Sequence, residues 1–480
     1  MTDQAPAPAP APAPVPGPVP RPAYAVWTGG TGTRPASVDG EGAQAAARLL
    51  GLETGRHGTQ RRGRVELRLE ESADACPEAY RLVSAADGVT ITAAGRAGLL
   101  HGVRTLAQLG AAPPLGEIVD APRYAYRGGM LDVARHFFDV PQVLAYVDLL
   151  AAYKFNHLHL HLTDDQGWRI AVGALPRLAE VGGAGGYYSA EDYRRIVSYA
   201  AERHITVVPE VDLPGHTNAA LAAYPELAVP GETGQLPYTE REVGRSSVDT
   251  GSERVFAFVD TVVRELAALT PGPLLHMGGD EALRIGAADY ARFMTRVGGI
   301  VRAHGKQPMA WDEAALAGPA TVDVVQVWRP RRHAGPSVDE AVRAAARGGA
   351  RLVMSPADRT YLDMKYDADT PLGADWAGTV GLRDAYDWDP AAYLPGLPDG
   401  AVVGVEAPLW TETIADVAGL QRMLLPRLPA VAEVAWSPQQ VRDWDDFARR
   451  ITAHGRRWTA DRLAWTAADG VDWAAGGGAA

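Results

Sequence analysis

The sequence predicts an α/β protein in which a (β/α)8 TIM barrel follows a small α+β domain. Three observations predict it. Beyond Arg123, short apolar runs of strand character alternate with stretches of helical spacing, and eight of these runs fall within roughly 350 residues, the strand count of that barrel. Polar and aromatic side chains gather directly after the runs, where such a barrel builds its site. Residues 24–121 keep a different rhythm, mixing alternating strands with two helical stretches.

Each element has its own reason. Ala-Pro alternation from Ala5 to Pro14, continued in Pro-rich sequence to Pro22, favours extended polyproline II, so residues 1–23 are expected to be a disordered tail. Within 24–121, helical spacing at 40–50 and 95–109 accompanies strand candidates at 65–69, 79–83 and 89–92. Arg62 and Arg64 read as solvated surface there, and nothing in the domain looks catalytic. The barrel is expected over 122–470. Its strand candidates are 129–133, 157–162, 205–211, 274–277, 307–311, 322–328, 351–354 and 401–405, and its helices 141–153, 190–203, 255–269, 287–304 and 338–347. A doubly wound open sheet is the competing fold, but no Gly-x-Gly-x-x-Gly turn follows the first strand to support it. The Gly/Ala-rich stretch 471–480 is expected to be a second disordered tail.

With 480 residues, 47% of them hydrophobic, the chain can bury a large core. Its 46 basic and 58 acidic residues leave a net charge of −12, which argues against nucleic acid and anionic membranes as partners. Cys76 stands alone, so no intramolecular disulfide can form. No apolar run approaches the ~20 residues that cross a bilayer. The N-terminus lacks the basic start and apolar core of a secretory signal, which makes a cytoplasmic protein the expectation.

The stretch 275–281 ends an apolar run with two adjacent carboxylates. Neighbouring side chains alternate on a strand, so Asp280 and Glu281 face one cavity only where the strand ends and the backbone turns, as Gly278 and Gly279 permit. Alone, such a run is equally at home in a solvated turn. Its company is what matters. Asp132 and Arg135 follow the first strand, Asp164 and Asp165 the second, and Asp212 and His216 the third. Trp311 and Asp312 follow the fifth, Trp328 and Arg329 the sixth, Tyr361 and Asp363 the seventh, and Trp410 and Glu412 the eighth.

In the runs 127–137, 161–169, 209–217, 276–281, 361–366 and 406–412 the chain closely resembles the glycoside hydrolase family 20 β-N-acetylhexosaminidases, with order and spacing kept from Tyr124 to Trp436. The resemblance implies an exo-acting, retaining enzyme that removes terminal non-reducing GlcNAc, and GalNAc as a second sugar, from oligosaccharides or glycoconjugates, without metal or cofactor. The substrate's own 2-acetamido carbonyl then attacks the anomeric carbon and gives an oxazolinium intermediate. On that resemblance Glu281 protonates the departing oxygen and then activates water, while Asp280 accepts the acetamido N–H. Tyr361 holds the attacking carbonyl oxygen, and Asp164 with His216 forms a relay behind Glu281. Arg135, Asp363 and Glu412 match ligands of the sugar hydroxyls. Trp311, Trp328 and Trp410 match walls for the apolar sugar face and the acetamido methyl.

Plainer roles stand beside these. His216 suits a helix start after Leu213-Pro214-Gly215, the charged residues suit an ion-pair network at the barrel mouth, and tryptophans are normally core, the reading for Trp436 and Trp458. His157, His159 and His161 alternate on one strand face, but at ~3.3 Å per residue the outer two lie ~13 Å apart, too far to share an ion. The loop 179–186 is shorter than in many bacterial relatives and is expected on the rim, where it bears on aglycone choice. The competing functions are a lacto-N-biosidase-type enzyme with room for a disaccharide, a sugar-binding protein without turnover, and a retaining glycosidase with Asp280 as nucleophile.

Overall fold

The computed structural model of the chain describes residues 17–54, 62–70, 76–333 and 335–474. It divides into two compact units, Met1–Ala121 and Pro122–Ala480. The first unit is a seven-stranded sheet of mixed pairing against which helices Ala43–Leu50 and Arg96–Gln108 pack. Gly88–Ala93 shows why the strands form: Val89, Ile91 and Ala93 are buried while Thr90 and Thr92 are half-exposed, the period of a sheet with one covered face. Strands Tyr24–Thr31 and Pro114–Asp120 escaped the sequence reading. Nearly all of Tyr24–Thr31 is exposed and Gly29 and Gly30 take positive φ, so no apolar alternation marks it.

The expected N-terminal tail ends sooner than residue 23. Residues 1–16 lie outside the described residues, but Val19 is fully buried. Its backbone N–H donates to Gln108 Oε1 at 2.7 Å and its carbonyl accepts from Gln108 Nε2 at 2.9 Å. One amide side chain thus closes both polar groups of a buried residue, which removes the cost of burying them. The C-terminal tail is likewise shorter than expected. The indole rings of Trp465 and Trp473 lie 4.8 Å apart, and Trp473 Nε1 donates to the Ala468 carbonyl; residues 475–480 lie outside the described residues.

In the second unit eight parallel strands close a barrel. They are β1 Tyr126–Asp132, β2 His157–His161, β3 Thr206–Glu210, β4 Leu274–His276, β5 Gln307–Trp311, β6 Val324–Val327, β7 Arg351–Met354 and β8 Val402–Leu409. The pairing of β8 with β1 closes the ring. Helices α1 Val140–Ala152, α2 Ala190–Ala201, α3 Glu253–Leu269, α4 Ala287–Ala303 and α5 Pro336–Arg347 fill the intervals where helical spacing predicted them. Two have capping boxes: Asp139 with Gln142 starts α1, and Ser189 with Asp192 starts α2.

All seven residues of β1 are buried, as parallel strands covered on both faces require. Inside, an apolar layer of Tyr126, Val208, Leu274, Met309, Val324 and Val353 fills the N-terminal end of the barrel. Nearer the mouth the core turns polar: interior hydrogen bonding was expected of the β2 histidines, but their buried partners Glu210 and Glu406 were not. Glu406 accepts from Tyr126 Oη, His159 Nδ1 and Gln326 Nε2 at 2.5, 2.8 and 2.7 Å. Glu210 meets His161 Nδ1 at 2.6 Å, His159 Nε2 at 3.1 Å, His276 Nδ1 at 3.0 Å and Trp311 Nε1 at 2.8 Å.

Candidate active site

The turn after β4 places the paired acids. Gly278, Gly279 and Glu281 take φ of 67°, 103° and 49°. These left-handed steps fold the chain so that the adjacent Asp280 and Glu281 both line one cavity of about 400 Å³ at the C-terminal ends of the strands. Holding Glu281 left-handed costs energy, of order 1–3 kcal/mol, which the surrounding structure must supply. His216 is the other strained residue here, with φ 54°. Its Nε2 lies 3.4 Å from Glu281 Oε2 and 3.9 Å from Asp280 Oδ2, and its Nδ1 lies 3.1 Å from Asp164 Oδ1.

Asp164 is the hub of the charged network. Its Oδ2 accepts from His161 Nε2 and Arg135 Nη2, both at 2.8 Å. Burial alone would raise its pKa, but Arg135 and His216 outweigh burial and hold the carboxyl well below its ordinary range. His216 is correspondingly lifted well above an ordinary histidine, burial being overcome by Asp164 and Asp212. The same contest lifts His159 to about 9, through Glu406 and Glu210, and His161 to about 10, through Glu210 and Asp164. Asp280 runs the other way: burial, then the neighbouring Asp212 carboxyl, pushes it well above the usual carboxylate range.

The far wall is aromatic and acidic. Trp328 and Tyr361 stack at 6.4 Å with rings 17° apart, and Trp410 lies 6.2 Å from Tyr361. Trp328 is held from behind by its Nε1 donating to Glu313 Oε2 at 2.9 Å, and Arg329 bridges Asp312 and Glu313 at 2.7 and 2.6 Å. The Arg135 guanidinium lies 4.9 Å over the Trp410 ring, and Asp363 Oδ1 accepts the Trp410 backbone N–H at 3.4 Å. Burial raises the Asp363 and Glu412 carboxyls, which face each other across this end.

Every residue to which the resemblance gave a catalytic or sugar-binding role lines this cavity except Trp311, whereas Asp132, Asp165, Asp312 and Arg329, also named at strand ends, lie outside its lining. Trp311 is 1% exposed and sits one layer down, its ring 5.8 Å from Trp410 and its N–H committed to Glu210. It supports the wall and does not form it. The loop 179–186 is absent from the cavity lining; Arg169 donates to its Ala184 and Gly186 carbonyls at 2.9 and 3.0 Å and to the Val133 and Ala134 carbonyls, which ties the loop to the turn after β1. Sequence reading missed Trp376, 44% exposed, whose ring meets Trp328 edge-on at 5.8 Å, and it missed Arg241 and Val243 in the lining. They sit in loops without periodicity, so no spacing signal marks them.

Among the described residues four buried trios bring together three groups that could ligate a metal, one atom from each residue and all within 4.8 Å: His159, Glu210 and His276; His161, Asp164 and Asp212; Asp164, Asp165 and His216; and Asp212, His216 and Asp280. His157 belongs to none of them. It stacks on Tyr126 at 4.0 Å and meets Asn156 Oδ1 at 2.6 Å. Among the described residues no helix is long and apolar enough to cross a membrane.

Comparison with known proteins adds the relatives. Residues 124–439 match the glycosyl hydrolase family 20 catalytic domain, and residues 31–121 match domain 2 of the same family. A β-N-acetylhexosaminidase of Cellulomonas fimi is 46% identical over 429 residues, covering 86% of this chain and 85% of that protein. A β-hexosaminidase of Akkermansia muciniphila is 34% identical, covering 78% and 83%. The N-acetyl-β-hexosaminidase of Streptomyces plicatus in complex with Thio-NAglucal superposes with a TM-score of 0.91 at 46% identity, covering 96% of this chain and 99% of that one. A mutant of that enzyme holding the product GlcNAc superposes equally well, at the same TM-score.

Proposed function

The chain belongs to glycosyl hydrolase family 20, and from that premise we propose which side chains carry its reaction. It is a retaining β-N-acetylhexosaminidase that hydrolyses terminal non-reducing GlcNAc by substrate-assisted catalysis. In our reading GalNAc is a second sugar, and the natural substrate is an oligosaccharide or glycoconjugate. Glu281 donates its proton to the leaving oxygen and then takes one from water. Asp280 accepts the acetamido N–H and stabilises the charge that develops on that group. Tyr361 fixes the carbonyl oxygen over the anomeric carbon between Trp328 and Trp410, so that the attacking atom is already in place. Arg135, Asp363 and Glu412 bind the sugar hydroxyls at the other end.

The observation that carries this reading is the convergence of the two acids on one imidazole. His216 Nε2 lies within 3.9 Å of both Asp280 and Glu281 with Asp164 behind it on Nδ1, so one ring bears on the charge of both acids. Asp164, held ionised by Arg135, keeps His216 cationic and anchored through Nδ1. The test compares 4-nitrophenyl β-GlcNAc with 4-nitrophenyl β-glucoside, with and without a thiazoline mimic of the oxazolinium. Turnover of the acetamido sugar alone, blocked by the thiazoline, supports substrate assistance; comparable glucoside turnover without inhibition points instead to a protein nucleophile.

A further inference from the structure

Two buried acidic oxygens on the pocket floor have no donor to accept from: Asp212 Oδ2 and Asp280 Oδ1. The two carboxyls lie within hydrogen-bonding reach of each other, beside the His216 ring. An ionised carboxylate only accepts, so two of them facing each other leave both oxygens unsatisfied, whereas a single proton satisfies both. The backbone is shaped for this pairing. Asp212 Oδ1 accepts the Gly279 N–H at 3.0 Å, and a Cβ on Gly278 would fall 1.6 Å from that oxygen. Gly278 therefore makes room for the Asp212 carboxyl and the Gly279 N–H holds its first oxygen, which leaves the second to meet Asp280.

We propose that Asp212 and Asp280 share one proton, and that Asp212 keeps it on Oδ2 when the substrate's acetamido N–H reaches Asp280. The proposal rests on the role given to Asp280 above. Before substrate, the pair carries one proton and one negative charge. The arriving N–H favours the anion on Asp280, the proton settles on Asp212, and nothing leaves the protein. Asp280 then receives two hydrogen bonds, one from the substrate and one from Asp212, at the moment positive charge grows on the acetamido group. Asp212 is a positioning residue in this scheme, acting through Asp280.

The surrounding charges favour retention of that proton. His216 is the cation facing both carboxyls and Arg329 faces Asp280, while Asp164 and Glu210 face Asp212 and Glu281 and Glu313 face Asp280. Tyr290 and Tyr361 add neutral hydroxyls nearby. Acids outnumber cations, and two ionised carboxylates in one buried site repel.

Asp212→Asn imitates the protonated form: its amide oxygen can take the Gly279 N–H and its NH₂ can donate to Asp280. The infrared difference between substrate-free wild type and Asp212→Asn at neutral pH should show the loss of one neutral carboxylic acid carbonyl stretch, and Asp280→Asn should remove the same band. Asp212→Leu, which leaves Asp280 without a donor, should lose about 10²-fold in kcat, and Asp212→Asn distinctly less. On an activated aryl substrate the high-pH fall in kcat/KM, set by loss of the shared proton, should disappear in Asp212→Asn. A difference spectrum without the band, equal losses in the Asn and Leu variants, or a stoichiometric divalent cation at Asp212 and Asp280 would overturn the proposal. The infrared result is read without substrate, so it can fail while GlcNAc hydrolysis stands, and hydrolysis can fail while the band remains.

Discussion

Gly278→Ala tests most directly how the paired acids are held. Gly278 has φ 67°, and a Cβ there would lie 1.6 Å from Asp212 Oδ1, 2.3 Å from its carboxyl carbon and 2.6 Å from its Cα. The last contact is with backbone, so rotation of the Asp212 side chain does not relieve it. Left-handed strain for a non-glycine residue contributes about 1–2 kcal/mol and overpacking about 1–3 kcal/mol, together about 2–5 kcal/mol. With an unfolding entropy of roughly 2.1 cal/mol/K per residue, a unit of this size should melt about 3–7 °C lower. Activity should suffer more than stability. Asp280 lies two residues on, and a displacement of ~1 Å in a reacting group can cost ~10²-fold. Gly286→Ala is the control, because nothing lies within 4 Å of its Cβ position and its φ is −65°. The assays are thermal unfolding and kcat/KM on 4-nitrophenyl β-GlcNAc. Wild-type melting and turnover in Gly278→Ala would refute the claim that the Asp212 carboxyl occupies this space.

Other expectations concern the chemistry and the pH response. Glu281→Gln should lose ~10²–10⁴-fold in kcat with poor leaving groups and much less with activated aryl groups; equal losses would argue against Glu281 as the acid. Asp280→Asn should lower kcat more than it raises KM, because its bond to the acetamido group strengthens in the transition state; steady-state kinetics giving a pure KM effect would count against that role. His159 and His161 are raised to about 9 and about 10 from an ordinary 6.5, so the stability they contribute is full below pH 6.5 and lost as pH rises through those values. The melting temperature should therefore fall between pH 6.5 and about 10. A flat profile over that span would show that the Glu210 and Glu406 partners do not hold these rings charged. Glu406 is lowered, so its contribution is lost instead as pH falls through the acid range.

Much of the barrel was legible because each strand is a short apolar run closed by a polar residue. Gln307–Trp311 and Arg351–Met354 fall where the runs placed them, whereas β8 runs on to Leu409, four residues past its expected end. Glu406 explains the shortfall. A charge normally stops an apolar run, yet this one is buried among Tyr126, His159 and Gln326. The mouth was readable for a similar reason, since its residues follow soon after the strands, from Trp410 directly after β8 to Asp363 in the loop after β7. What sequence hid was depth. Trp311 and Trp328 look alike at their strand ends, but the Trp311 indole is claimed by Glu210 from below while Trp328 is held upright by Glu313. The fit of Asp212 against Gly278 was hidden too, because it joins two runs 66 residues apart whose contact depends on the turn after β4.

The closing pair of the ring sets when the enzyme can first work. Asp132, at the end of β1, accepts the Thr411 backbone N–H at 3.0 Å and the Ala134 backbone N–H at 2.9 Å, which ties the loop bearing Arg135 to the loop bearing Trp410 and Glu412. These partners are 279 residues apart in the chain. At 5–20 residues per second, synthesis separates them by about 15–55 s, during which the growing chain holds Arg135 without the far side of its pocket. A truncated or stalled chain that stops before residue 412 holds Arg135 and Asp363 but lacks Glu412, so the sugar-hydroxyl end of the site is incomplete. The complete pocket is thereby reserved for chains whose last strand has been made and docked.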